Sequence, residues 1–153
     1  WDWMPTYHAT QARAAAGDLP GALEELTVSL RQNPRYVPSL LHAAFIEFNL
    51  ATTEPPTASP NVLEAARAYA REAQKLCPPL PEAEDILGRA ALLEADRLWA
   101  RPENASADRE RLLLEAADRF ARAIAYGATN ERELSELQTR VRASLTGPSA
   151  PSR

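Results

Sequence analysis

Glycine is scarce in this sequence, five residues in 153, and cysteine and lysine occur once each, as Cys77 and Lys75. Five glycines scattered at turn positions cannot form a glycine-rich phosphate loop. A lone cysteine excludes an internal disulfide and a cysteine-based zinc site. No apolar run approaches the about 20 residues of a membrane-spanning helix, so no transmembrane segment is expected, and no secretory signal is read in these residues. Excess positive charge is missing as well. The formal net charge is −4 and the pI about 5.3, which argues against nucleic acid as a partner, since that affinity rests on concentrated cationic surface. No Gly-x-Ser-x-Gly elbow occurs, and His8 and His42 each lack a ligand partner at helical spacing. The expectation is a non-enzymatic protein with no catalytic residues, no metal and no cofactor.

What the sequence has in quantity is alanine, leucine, glutamate and arginine, residues that favour helix over sheet. The predicted fold class is all-α, with enough chain for one sizeable core or one stack of small units. Positive charge is almost all arginine, read as a composition bias in which most arginines solvate helix faces. The chain opens "WDWMPTY" without an initiator methionine. Removal of a signal or anchor would explain that, and so would excision from a longer protein; an exported, periplasmic location and a cytoplasmic one both stay open.

Turn and cap signals divide the sequence into seven predicted helices. The first two, about Thr6 to Ala16 and Leu19 to Gln32, are separated by Gly17, which can take the left-handed geometry that closes a helix, and Asp18, which can accept from the free amides of the next. Pro34 ends the second by biasing Asn33 away from helical geometry. A third runs from about Pro38 to Leu50, followed by a loop, "ATTEPPTASPN". Asn61 and Glu64 have capping-box spacing and open a fourth helix to about Leu76, closed by "CPPLP". The fifth spans about Pro81 to Ala100, and "RPENASA" precedes a sixth from about Asp108 to Tyr126. Gly127 stops that helix, and Asn130 with Glu133 repeats the capping-box spacing for a seventh ending near Leu145. The tail, 146–153, lacks apolar residues to dock and is expected to be disordered.

The second members of the first three helix pairs share a spacing. Ala22, Leu26 and Ser29 recur as Ala66, Ala70 and Ala73 and again as Ala116, Phe120 and Ala123. Offsets of four and three place each trio on one helical face, where small residues admit a neighbouring helix and a larger one fills the gap. Pro34 and Pro78 follow the first two trios at equal distance.

On these residues the sequence resembles the tetratricopeptide repeat (TPR) family, helix-turn-helix units of about 34 residues. "GDLPGALEELTVSLRQNP" resembles the turn, second helix and terminal proline of one unit. "EDILGRAALL", with Leu87 and Gly88, is similar to the first helix of another, and "AADRFARA" to its second. Thr10 to Ala44 is one repeat length. The sequence departs from the pattern too, with Thr6 and Thr10 where an aromatic and a glycine are usual, and with longer hairpin loops in the second and third units. The resemblance implies a right-handed α-α superhelix, a TPR-like solenoid. It would comprise one domain over 1–145 with units at about 5–34, 37–78 and 81–127 and a capping helix at about 130–145, its stripe of Leu134, Leu137, Val141 and Leu145 facing inward.

In such a stack the first helices line a concave groove. Carried over residue by residue, the groove positions are Tyr7, Gln11, Leu41, Phe45, Phe48, Asn49, Asp85, Arg89 and Leu92. An apolar, aromatic groove suits a protein or peptide partner with hydrophobic anchors. Phe45 and Phe48 equally suit a core position between units, and Arg89 equally suits an intrahelical pair with Asp85. No lysine lies on a first helix, so the resemblance does not extend to family members that clamp a terminal carboxylate. Glu82, Glu84 and Asp85 read as exposed acids complementing a helix dipole. Trp1, Trp3, Met4 and Tyr7 read as an N-terminal cap or a contact surface, and Trp99 as packed under "RPENASA". Asn104-Ala105-Ser106 matches a glycosylation acceptor that a loop role explains equally well. The function expected from the resemblance is a scaffold that binds a partner polypeptide, for instance in a bacterial envelope or secretion assembly. Its rivals are a constitutive subunit of a complex or homo-oligomer, and a regulatory helical domain from a larger enzyme or sensor.

Overall fold

The computed structural model describes residues 3–53, 61–99 and 106–146, with side chains described over 9–53, 63–99 and 107–146. The aromatic cluster of Trp1, Trp3, Met4 and Tyr7, the Asn61 cap, the glycosylation-like triplet and the tail beyond Thr146 lie outside the described side chains. Among the described residues there are seven helices and no strand: α1 (Trp3–Ala15), α2 (Leu19–Gln32), α3 (Val37–Thr53), α4 (Asn61–Leu76), α5 (Pro81–Trp99), α6 (Ser106–Ala125) and α7 (Glu131–Thr146). The fold is all-α, and none of these helices is long and apolar enough to cross a membrane.

Local chemistry accounts for the turns. Gly17 sits at φ +84°, the amide of Asp18 donates to the carbonyl of Arg13, and that of Gly17 donates to Ala14, the pair of reversed bonds that closes a helix on a left-handed residue. The Asp18 carboxylate then accepts from the Gly21 amide at 3.0 Å and opens α2. Gly127, also at φ +84°, repeats the closure between α6 and α7. The predicted loop after Leu50 begins later than expected. The Thr52 and Thr53 hydroxyls donate to the Asn49 and Leu50 carbonyls at 2.7 and 2.8 Å, satisfying the last turn of a longer α3. Asn130 differs from the expected capping box in its side-chain bonds, since its amide donates to Asp85 at 2.9 Å and more weakly to Glu133.

Packing is serial. Each helix packs on its sequence neighbours, and α3 also packs on α5. The nine residues of the three spaced trios are all fully buried. Around Ala22 and Leu26 lie Ala43 and Ile46; around Ala70 and Ala73 lie Leu40, Ala44, Ile86 and Leu87; around Ala116, Phe120 and Ala123 lie Leu112, Leu113, Leu134 and Val141. Full burial of a leucine or phenylalanine contributes about 1.5–3 kcal/mol. At Gly88 the Phe120 ring presses so close to α5 that an added Cβ would stand 2.7 Å from it. Leu134 and Val141 are the buried side of α7, packed with residues of α5 and α6.

Polar groups tie successive layers. The Ser29 and Ser39 hydroxyls, both buried, meet at 3.2 Å between α2 and α3. Arg97 on α5 donates to the Ala51 carbonyl at 2.7 Å, and Arg67 on α4 pairs with Glu94 on α5 at 2.6 Å. Glu84 corrects an expectation: only 1% exposed, it is no solvent-facing first-turn acid. It accepts from Gln74 on α4 at 2.5 Å and from Arg119 on α6 at 2.8 Å. Loss of either partner would leave a buried carboxylate less compensated. Trp99 is likewise not covered as expected. It is 60% exposed, with the Arg109 guanidinium 4.5 Å from its ring centre, in cation–π geometry.

Candidate partner-binding groove

Serial packing leaves the starts of α3 and α5 and the end of α1 facing a common space. The result is an open groove of about 810 Å³, lined by Gln11, Ala14 and Ala15 of α1, Leu19 at the start of α2, Pro38, Leu41, His42 and Phe45 of α3, Pro81, Glu82, Asp85 and Ile86 of α5, and Ala128 to Asn130 before α7. The first helix of every pair contributes.

The structure sorts the sequence-derived residues. Gln11, Leu41, Phe45 and Asp85 line the groove, and Phe45 is 53% exposed, among the most exposed large apolar side chains described. Phe48, three residues on, turns the other way and packs against Ala51, Leu63 and Ala90 between α3, α4 and α5. The shared helical face thus divides, one ring to the groove and one to the core. Asn49 donates to the Phe45 carbonyl at 2.9 Å on its own helix. Leu92 is a correction. At 6% exposure it belongs to the core with Ala116, Phe120 and Leu134, because α6 covers that face of α5. Tyr7 lies outside the described side chains.

Arg89 is half-buried and occupied. Its Nε donates to Asp85 Oδ1 at 2.6 Å, and its guanidinium also meets Glu133 of α7 at 2.9 Å. Burial disfavours its charge, but the bonds to Asp85 and Glu133 outweigh that and hold its pKa above the ordinary arginine value. The same bond from Arg89, with its charge, holds the Glu133 carboxyl below the usual carboxylate range. Asp85 Oδ2 accepts from Asn130, so both oxygens are engaged. At the other end Arg13 bridges Asp18 at 2.9 Å and Glu25 at 2.6 Å. Burial pushes the His42 imidazole below its ordinary pKa, which favours the neutral ring on the groove wall. Outside the lining, burial raises the Glu47 carboxyl and also the Tyr69 phenol, the latter further disfavoured by the charge of Glu47.

Sequence reasoning did not pick out His42, Glu82 or Ile86 as lining. The signal was present in the prolines, since Pro38 and Pro81 each open a first helix and mark the rim. Among the described residues no three His, Cys, Asp or Glu side chains gather where they could hold a metal ion. No protein-family model matches the chain, and no curated protein matches it.

Proposed function

We propose that this chain is a non-enzymatic interaction module, a TPR-like stack of three helical hairpins with α7 as its cap, and that it holds a segment of a partner polypeptide in the groove. The right-handed superhelix is part of that proposal. The observation that carries it is a groove to which α1, α3 and α5 all contribute, with Phe45 standing out from an apolar wall. A half-exposed phenylalanine in a concave apolar surface has the character of a binding anchor. Serial packing of successive pairs supports the repeat reading.

Affinity capture from the native source tests it. Capture of a partner by the wild-type chain is expected to fall about tenfold or more with Phe45→Ala, given an anchor contribution of about 2 kcal/mol. Circular dichroism should be unchanged, because the ring lies outside the core. Equal capture by folded Phe45→Ala and Leu41→Ala variants would remove the groove as the binding surface. A second reading, a constitutive subunit of a complex or homo-oligomer, is favoured by the exposed Trp99 and Leu114 away from the groove; light scattering that returns a clean monomer counts against the homo-oligomer.

A further inference from the structure

We infer that the occupant of the groove is a basic amphipathic segment, a stretch of another polypeptide in which apolar anchors alternate with Lys or Arg. This rests on the groove reading above and adds the chemistry of the partner. The apolar wall is Leu41, Phe45 and Ile86; the charged groups are Glu82 and Asp85, and no Lys or Arg is among the described residues that line the groove. Two neighbouring cations are already engaged. Arg13, between the lining residues Gln11 and Ala14, is held by two carboxylates, Asp18 and Glu25, and Arg89, one turn past Asp85, is held by Asp85 and Glu133. Each of these two arginines is outnumbered by its carboxylates, while Arg35, before Pro38, and Arg132, after Asn130, lie outside the lining.

Glu82 is exposed, and among the described residues none forms an ion pair with it. The partial positive charge at the starts of α5 and α7 has an exposed first-turn acid of its own helix beside it, Glu82 in one and Glu131 in the other. An acidic segment entering here would meet like charge. A lysine or arginine can lie with its stem along Leu41 and Ile86 and its head at Glu82, the arrangement that suits long cationic side chains.

The test is selection of a phage-displayed library of random peptides on the immobilised full chain, on Phe45→Ala and on Glu82→Lys, each variant first shown to keep its helicity. The expected result is enrichment by the wild type of peptides that combine Leu, Ile, Phe or Met with Lys or Arg. Their synthetic counterparts should bind Phe45→Ala about tenfold more weakly and Glu82→Lys severalfold more weakly, with affinity falling as salt is raised. Enriched peptides that depend on Phe45 but are acidic or uncharged overturn the basic-segment inference and leave the groove reading intact. Peptides indifferent to Phe45, or no enrichment at all, overturn both. Concentration-dependent self-association abolished by Phe45→Ala would make a second copy the occupant and overturn the inference.

Discussion

Around Phe120, where α5, α6 and α7 meet, solvent is excluded by large side chains, with Leu112, Leu113, Leu134 and Val141 closing on the ring and Glu84 bonded across to Arg119. At the opposite end, where α1, α2 and α3 meet, the corresponding space holds Ala22, Leu26, Ala43 and Ile46, with the buried hydroxyls of Ser29 and Ser39 beside them and buried Thr10 on α1. Both ends use the same small–large–small spacing. The difference lies in what fills it. A repeat motif therefore sets the approach of helices, while the fillers set how firmly each layer holds. The groove draws on the lighter end through its α1 wall and on the layer between the two ends through its α5 wall, where Ile86 packs with Leu40, Ala44, Ala70 and Ala73.

The largest effect that would break this comparison is loss of the heavy filler. Phe120→Ala is expected to destabilise the chain by about 4 kcal/mol, and Leu26→Ala by about 3 kcal/mol, both from the lost transfer energy plus the cavity left behind. Urea unfolding gives the values, and hydrogen exchange gives their reach. Leu26→Ala should loosen α1 to α3 and leave α5 and α6 protected. Equal losses with equal spread would erase the distinction between the ends.

A smaller effect sharpens it, because the two ends carry matched turns. Gly17 and Gly127 share φ +84°, and a Cβ added at either meets nothing within 4 Å, so alanine brings only the left-handed backbone penalty of about 1 kcal/mol. With the local penalty equal, the surroundings decide the outcome. Gly17→Ala should raise exchange throughout α1, whereas Gly127→Ala should leave α5 and α6 protected.

The smallest effect is electrostatic. The folded-state pKa of Glu133 lies below its unfolded value because of Arg89. The Arg89 contact therefore stabilises fully at neutral pH, and its contribution fades as pH falls through the carboxylate range toward the depressed folded value. Carboxyl titration by NMR should show Glu133 titrating low in the wild type and returning to the ordinary range in Arg89→Ala. The change in stability will be slight because Glu133 is more than half exposed.

Most of the helical layout could be read from the chain because its signals are local. Gly17 with Asp18, Gly127, and the prolines at 34, 38 and 81 act within a turn of themselves, and the alanine trios record helix contacts as missing side-chain volume. Glu84 and Leu92 were misplaced for one shared reason. α5 is enclosed on several sides, with Ala83, Glu84, Ile86, Leu87, Gly88, Ala90, Ala91, Leu92 and Ala95 all buried, so both residues fall on covered faces, off the line of Glu82, Asp85, Arg89 and Asp96 that is left outside. A first-turn glutamate that complements a dipole and one that bridges two neighbouring helices look alike until Gln74 and Arg119 are brought beside it. The groove was placed along the first helices, but its position near the start of α5 depends on how that helix stacks against α3 and α7. Phe45 and Phe48 show the limit directly, since three residues apart is close enough to share a face and far enough to straddle its edge.

Gly88 and the ring of Phe120 occupy what is in effect one shared volume. Neither position is free to drift alone: a methyl gained at 88 requires a slimmer residue at 120, and a broader ring at 120 finds no room while glycine already stands opposite. Across chains of common descent the two sites should change as a pair, a linked signature that would identify this layer even where the rest of the stack had diverged.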